Sequence, residues 1–236
     1  TELGWVTVDT VTTAATITLS PVLGGDTVRY FAVPNTDEYF LFENRQAIGS
    51  DTAQLNPECR SGGRSCAKGP GLLIWHIDAG QIALHGFYQD NRVNTGSIHG
   101  VALVQADGLD QLREPGGRNR GDAGDVWPGS AGNTLFGTET NPASLDNTGA
   151  TAGFVVDSIE RLTPEGAVRF RLSLTPSGQV LVSLTAAGNQ LVGRRSLGSA
   201  QLGKLDSLGN HNGRYDTGDF LAFYEQQPVA VRGRPR

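Results

Sequence analysis

Residues 69–78, Gly69-Pro70-Gly71-Leu72-Leu73-Ile74-Trp75-His76-Ile77-Asp78, decide the fold together with residues 38–46, Glu38-Tyr39-Phe40-Leu41-Phe42-Glu43-Asn44-Arg45-Gln46. Both are short apolar runs rich in aromatic and branched residues and bounded by Gly, Pro, Asn or Asp, which is the pattern of strands buried on both faces. Counting by two, Leu72, Ile74, His76 and Asp78 share one face, and Leu73, Trp75 and Ile77 the other. The first face begins apolar and ends in an imidazole and a carboxylate. That profile predicts a strand leaving a core for a cleft, with His76 and Asp78 as rim candidates. The plainer alternative makes His76 a hydrogen-bonded structural histidine and Glu43/Arg45 a structural ion pair.

The link between the runs, residues 47–68, is long and polar and shows no helical period, whereas a parallel crossover needs a helix. An antiparallel pair with a long excursion is therefore expected. Glu43 and Arg45 then lie near Gly69 to Gly71, and His76 and Asp78 near the start of the first strand. Within the excursion, Cys59 and Cys66 are the only cysteines. Two cysteines alone cannot make a structural zinc site, and the Gly-Gly and Ser residues between them let the loop close into a disulfide. Two free thiols are the alternative. A disulfide implies an oxidising, extracellular compartment, and closing so short a loop contributes about 2 kcal/mol.

The rest of the chain extends the same pattern outward. Residues 5–19 alternate Thr with Val, Ile and Leu, which predicts two half-exposed strands with a turn near Asp9 or Thr13; Thr27 to Val33 is a further strand. Residues 79–99 hold no lasting period and read as loop, Val101 to Ala106 as a strand, and 113–134 as a Gly-rich excursion. Residues 153–174 read as a hairpin turning at Thr163-Pro164-Glu165-Gly166, with Val168, Phe170, Leu172 and Leu174 on its apolar face. The class is mainly β: an antiparallel β-rich domain with long loops over 1–176, a hairpin or linker over 177–204, a calcium loop and helix over 205–228, and a disordered basic tail over 229–236. A chain of 236 residues supports one sizeable core with a small appendage. Its charge of −5 argues against nucleic-acid or anionic-membrane partners, and no apolar run reaches the length of a membrane span. With no Met and strand-like sequence from Thr1, the chain reads as a piece of a longer protein.

Two groups of carboxylates invite a hard cation. Asp107 and Asp110 are three residues apart, as are Asp122 and Asp125 on a Gly-rich backbone, and Ca²⁺ accepts such irregular oxygen sets. Ordinary turn aspartates, neutralised by Arg113, Arg118 and Arg120, are the alternative. The second group is sharper. With Gly213 at the sixth position of an EF-hand loop, Asn210 and Asn212 occupy positions three and five, the Arg214 carbonyl seven, Asp216 nine and Asp219 twelve. Leu208 at position one cannot ligate, so Asp206 has to replace it in a loop longer by two. No incoming helix is legible, and the outgoing one is expected at Phe220 to Glu225. A Gly/Asn turn without an ion is the alternative.

Four blocks in order carry a resemblance: Glu38 to Gln46, Gly71 to Asp78, His99 to Gly108, and Gly121-Asp122-Ala123-Gly124-Asp125-Val126-Trp127-Pro128-Gly129. Over about Leu3 to Leu174 the chain resembles the immune inhibitor A family of secreted bacterial zinc metallopeptidases, and beyond Leu205 it is similar to one half of a calcium-binding dockerin. The family's zinc site is a His-Glu-x-x-His helix. The four histidines here, His76, His85, His99 and His211, include no such pair, so no catalytic residue carries over. The resemblance implies the part downstream of that helix: calcium as cofactor, zinc only in the full-length enzyme, an N-terminal catalytic portion as partner, protein substrates for the whole, a secreted location, and no peptide hydrolysis by this chain alone. The rival expectation is a calcium-dependent β-sandwich that binds a glycan or a cohesin-like protein through exposed aromatics near Trp127 and Tyr88.

Overall fold

Strand β5 (Gly71–Asp78) and strand β4 (Glu38–Arg45) pair antiparallel along their whole length, from Glu38 opposite Asp78 to Arg45 opposite Gly71. The antiparallel pairing that the sequence predicts is thus formed. The structure is a computed structural model that describes residues 5–25, 27–55, 69–113, 121–162, 166–194 and 197–227. Cys59 and Cys66, the turn residues Thr163 to Glu165 and the tail 229–236 lie outside the described residues.

Around this pair, β3 (Thr27–Ala32) adds antiparallel to β4, and β1 (Thr7–Thr10) adds parallel to β3 at one edge. At the other edge the short β6 (Val101–Leu103) adds antiparallel to β5. A second, antiparallel sheet runs in the order β2 (Ala15–Leu19), β8 (Val168–Leu174), β7 (Phe154–Arg161). The Thr-rich run 5–19 thus forms the two expected strands, one in each sheet. The fold is strand-rich, with two sheets of mostly antiparallel strands.

The sheets face each other across a phenylalanine core. The Phe154 ring lies 4.7 Å from Phe31, 5.0 Å from Phe40 and 5.8 Å from Phe42, and Phe42 lies 5.6 Å from Phe170. Period-two alternation makes this possible: Val168, Phe170 and Leu172 are buried, while Arg169 and Arg171 point outward to Glu160 and Asp157 at 2.6 and 2.9 Å. Leu174, expected on the buried face, is 46 % exposed at the strand end. Fully burying one such apolar side chain contributes about 2–3 kcal/mol. One polar residue crosses the core: the amide of fully buried Asn44 donates to the carbonyls of Leu19 at 2.8 Å and Gly166 at 2.9 Å, and accepts from Gln46 at 2.8 Å. Its hydrogen bonds are met, so it fixes the register of the two sheets without the penalty of an orphaned amide.

The irregular stretch before β7 is stitched to the sheets by backbone bonds. Trp127 exchanges both main-chain hydrogen bonds with Leu72 at 2.9 Å, and Phe136 does the same with Val156 at 2.8 Å. Both rings are fully buried, and the Trp127 indole donates to the Val104 carbonyl at 3.2 Å.

The helices depart from the sequence expectation. After the single turn α1 (Val22–Gly25), residues 79–85, read as loop, form α2 (Ala79–His85), started by the Asp78 carboxylate accepting the Gln81 N–H at 2.9 Å. By contact the chain divides into two units, Thr1–Ser144 with Gly153–Thr175, and Leu145–Ala152 with Pro176–Arg236. Residues 177–204, expected as a hairpin or linker, carry α3 (Leu184–Leu191) and the first part of α4 (Ser199–Leu208). The incoming helix of the tail, illegible in the sequence, is α4, and the outgoing one is α5 (Thr217–Gln226). Ser183 caps α3 by accepting the Ala186 N–H at 3.1 Å. Ala186, Ala187, Leu197, Leu205 and Phe223 form the second unit's small core, with Leu208 packed against it. No helix among the described residues is long and apolar enough to cross a membrane.

Candidate functional site

The two faces of β5 have different fates. On the face of Leu72, Ile74 and His76, the imidazole stacks on Phe40 with centroids 4.4 Å apart and planes 8° apart, and its Nε2 lies 2.6 Å from the Glu38 carboxylate. Both side chains are nearly buried, at 12 % and 8 % exposure. His76 therefore closes the edge of the core, and Asp78 caps α2. Neither lines the molecule's large cavity.

That cavity lies on the opposite face, within the first unit, and has a volume of about 980 Å³. Its floor is apolar: Leu73, Trp75, Val101 and Leu103. Trp75 is opposite Leu103 in register and Leu41 on its other side, so alternation aims these side chains outward together. At one end Glu43 accepts from the Arg45 guanidinium and, at 3.1 Å, from the Trp75 indole; Arg45 also reaches Asp51 at 3.4 Å. The expected Glu43/Arg45 pair is thus formed, near Gly71 as the register predicts, and it holds the indole in place.

Further along, the wall is polar. Gln105, 3 % exposed, donates to Asp110 at 3.2 Å and accepts the Leu112 N–H at 3.3 Å. Burial raises the Asp110 carboxyl above its ordinary value, with nearby Arg113 and His99 opposing the shift. His99 is pushed down, first by burial and then by the Arg113 charge, so it favours the neutral imidazole. A neutral imidazole in a cavity wall offers one donor and one acceptor.

Asp122 and Asp125 complete the cavity wall, and Asp107 stands beside them. One ligand oxygen from each of the three lies within 4.8 Å of the others, and Asp125 is only 4 % exposed. Among the described residues no other group of three or more His, Cys, Asp or Glu side chains gathers in this way. The turn explains the convergence. Asp125 accepts the Asp122 N–H at 2.6 Å, Asp122 accepts the Gly124 N–H at 2.7 Å, and a Cβ on Gly124 would stand 2.7 Å from the Asp107 carboxylate. Only glycine leaves room for that carboxylate to approach. Asp110, the fourth expected member, turns away to Gln105 and Arg113.

No family model, curated protein or solved structure matches the chain. The site is therefore read from its own chemistry: three carboxylates suited to a hard cation, beside a cavity with an aromatic floor.

The C-terminal loop is arranged differently. Gly213 takes a φ of +79°, as the sixth position requires. Asp206 accepts the Gly213 N–H at 3.1 Å, so it does reach into the loop that Leu208 cannot serve. Leu208 occupies position one because it belongs to the apolar core of the unit. Asp219 is fully buried, accepting the N–H of Asn210 at 3.0 Å and of Asp216 at 2.9 Å. Asp216 accepts the amides of Asn210 and Asn212 at 3.0 and 2.9 Å, and these bonds hold its carboxyl below the ordinary range. Hydrogen bonds thus close the loop: backbone N–H groups reach Asp206, Asp216 and Asp219, and the Asn210 and Asn212 side-chain nitrogens reach Asp216. Burial, and then the Asp219 charge, raises the Tyr215 phenol, which donates to the Ala187 carbonyl at 2.9 Å.

Most of the cavity lining was missed in the sequence, Trp75, His99, Leu103 and Gln105 among it. Period-two counting already placed Trp75 with Leu73 and Ile77, away from the His76 face; the polar ending of that other face drew attention to His76 and Asp78 instead. Trp127, expected as an exposed aromatic, is fully buried, whereas Tyr88 is 92 % exposed beside Phe87 at 78 %.

Proposed function

We propose that the chain is the β-rich portion of an immune inhibitor A-like secreted zinc metallopeptidase, supporting a catalytic helix that its own residues do not include. The observation that carries this reading is the meeting of the four sequence blocks: β4, β5 and β6 are adjacent strands, and Trp127 of the fourth block bridges to Leu72 of the second. Blocks far apart in sequence thus build one surface. No His-Glu-x-x-His occurs in the chain, so zinc and peptide hydrolysis belong to the full-length enzyme, whose N-terminal catalytic portion is the partner of this one.

Calcium is the cofactor of the reading. Asp107, Asp122 and Asp125 offer it the hard oxygen donors it prefers; the tail loop, through Asp206, Asn210, Asn212, the Arg214 carbonyl, Asp216 and Asp219, is a second candidate. Secretion follows from the same family resemblance. Incubating the purified chain with zinc and casein tests the proposal: no cleavage is expected, and robust chelator-sensitive cleavage overturns it.

A second reading, a calcium-dependent binding module for a glycan or protein, draws on the exposed pair Phe87 and Tyr88, whose rings meet edge to face at 5.3 Å. Their loop is pinned by Asp90, which accepts from Arg92 and His85 and is held down at about 2. Glycan-array binding lost in Tyr88→Ala would favour it over the scaffold reading.

A further inference from the structure

The dipeptide Asn-Gly occurs once in the chain, at Asn212-Gly213, in the loop between α4 and α5. Both residues are exposed, Gly213 has a φ of +79°, and a Cβ built on it would meet nothing within 4 Å. Nothing stands on that side of the Gly213 peptide. The Asn212 Cβ, Cα and carbonyl carbon are all that separate the Gly213 nitrogen from the side-chain Cγ, so joining the two closes a succinimide ring.

The loop supplies a partner for each atom that changes in such a closure. The Gly213 N–H, which has to lose its proton, donates to both oxygens of the Asp206 carboxylate, at 3.1 and 3.3 Å. The Asn212 Oδ1, on which negative charge develops, accepts the Arg214 N–H at 2.8 Å, an Asx turn that folds the side chain back over the Gly213 peptide. The Asn212 Nδ2, the leaving nitrogen, donates to Asp216 at 2.9 Å. A donor on the developing charge and a carboxylate on the departing proton are how an acyl transfer is assisted.

We propose that Asn212 is a self-modification site, whose deamidation makes the loop between α4 and α5 dependent on a divalent cation. The Gly213 nitrogen bonds to Cγ while its proton passes to Asp206. The Cγ–Nδ2 bond then breaks, and that nitrogen takes the proton and leaves as ammonia. Water opens the succinimide to aspartate or isoaspartate, so one water is consumed for each ammonia released. In the aspartate product a carboxylate oxygen faces Asp216 where an amide N–H met it before. Like charges at that range repel, and a cation between them removes the repulsion. The cation dependence rests on reading the tail loop as a calcium candidate; the deamidation does not.

The test is to hold the purified full chain in mildly alkaline buffer and follow its peptides by mass spectrometry. The mass gain of deamidation is expected at Asn212 before any other asparagine, and at least tenfold more slowly in Gly213→Ala and in Asp206→Asn, with circular dichroism confirming that both are folded. Urea-unfolded wild type, in which Asp206 no longer meets Gly213, is expected to deamidate more slowly than the folded chain. For the cation, Asn212→Asp is compared with wild type by calcium calorimetry, both carrying Asp122→Asn to silence the other candidate; at least tenfold tighter binding is expected in Asn212→Asp. Modification of another asparagine first, an unchanged rate in Asp206→Asn or in urea, or equal calcium affinity with and without Asn212→Asp would each overturn the proposal. Absence of calcium heat from both chains overturns the tail-loop reading and the cation dependence together, whereas the mass result judges the deamidation alone.

Discussion

The inner and outer faces of the β4–β5 pair are built from the same two strands by the same alternation, yet they end in opposite states. Inward, Phe40, Phe42, Leu72 and Ile74 disappear into the aromatic core, and His76 closes its edge against Glu38. Outward, Trp75 and Leu73 floor an open cavity with Glu43 and Arg45 at one end. The difference lies in what covers each face: a second sheet on one side, loops on the other. A polar residue at the end of a buried strand is thus poor evidence of a cleft. It can equally mark where a core stops.

The largest test of this contrast is Phe154→Ala. Phe154 touches three rings of the first sheet, so its loss opens a cavity between the sheets and is expected to cost about 3–5 kcal/mol, read from urea unfolding. A cost below about 1 kcal/mol would mean that the inner face is not packed as described. On the acidic side of the outer face, calcium at a hundred times its dissociation constant is expected to stabilise the chain by about 2.7 kcal/mol. That gain should vanish in Asp122→Asn; a gain equal to wild type would remove calcium from this wall. His76→Ala, at the inner edge, removes the partner at 2.6 Å of a nearly buried carboxylate and should cost about 1–3 kcal/mol.

The smallest effect is in acid. Asp157 is held below its ordinary value by Arg171, and Asp90 at about 2 by Arg92 and His85. A carboxylate lowered in the fold contributes stability above its unfolded value, near pH 4, and loses it as pH falls through the folded one. Unfolding midpoints should therefore fall between about pH 4 and about pH 2. Arg171→Gln should flatten the share due to Asp157, with a small effect because the pair is exposed to solvent. Asp110, raised by burial, acts in the other direction: its ionisation opposes folding at neutral pH and is relieved as pH falls.

Much of the first unit was legible because its signal has period two. The β4–β5 pairing, the register of Arg45 with Gly71, and the β7–β8 hairpin with Arg169 and Arg171 outward follow from alternation and turn residues alone. The helices were not legible. In α3 the run Ala186-Ala187-Gly188-Asn189 looks like turn sequence, and its helix depends on the Ser183 cap and on burial of two small side chains. In α2 the decisive residue is Asp78, which reads as a site carboxylate and serves as a cap. Among the acidic groups, spacing left the partners of each side chain open. Spacing singled out Asp206 to Asp219, where backbone N–H groups engage Asp206 and Asp219, and amide and N–H donors engage Asp216. The convergence of Asp107 on Asp122 and Asp125 depends on a missing Cβ at Gly124, and Asp110, equally well spaced, is drawn off by Gln105.

The proposed role, support of a metallopeptidase without holding its catalytic metal, is tested most directly by a calorimetric zinc titration of the chain in excess calcium. The account predicts only weak, calcium-displaceable heats from the outer carboxylates. A tight, stoichiometric zinc site that calcium cannot displace would contradict it.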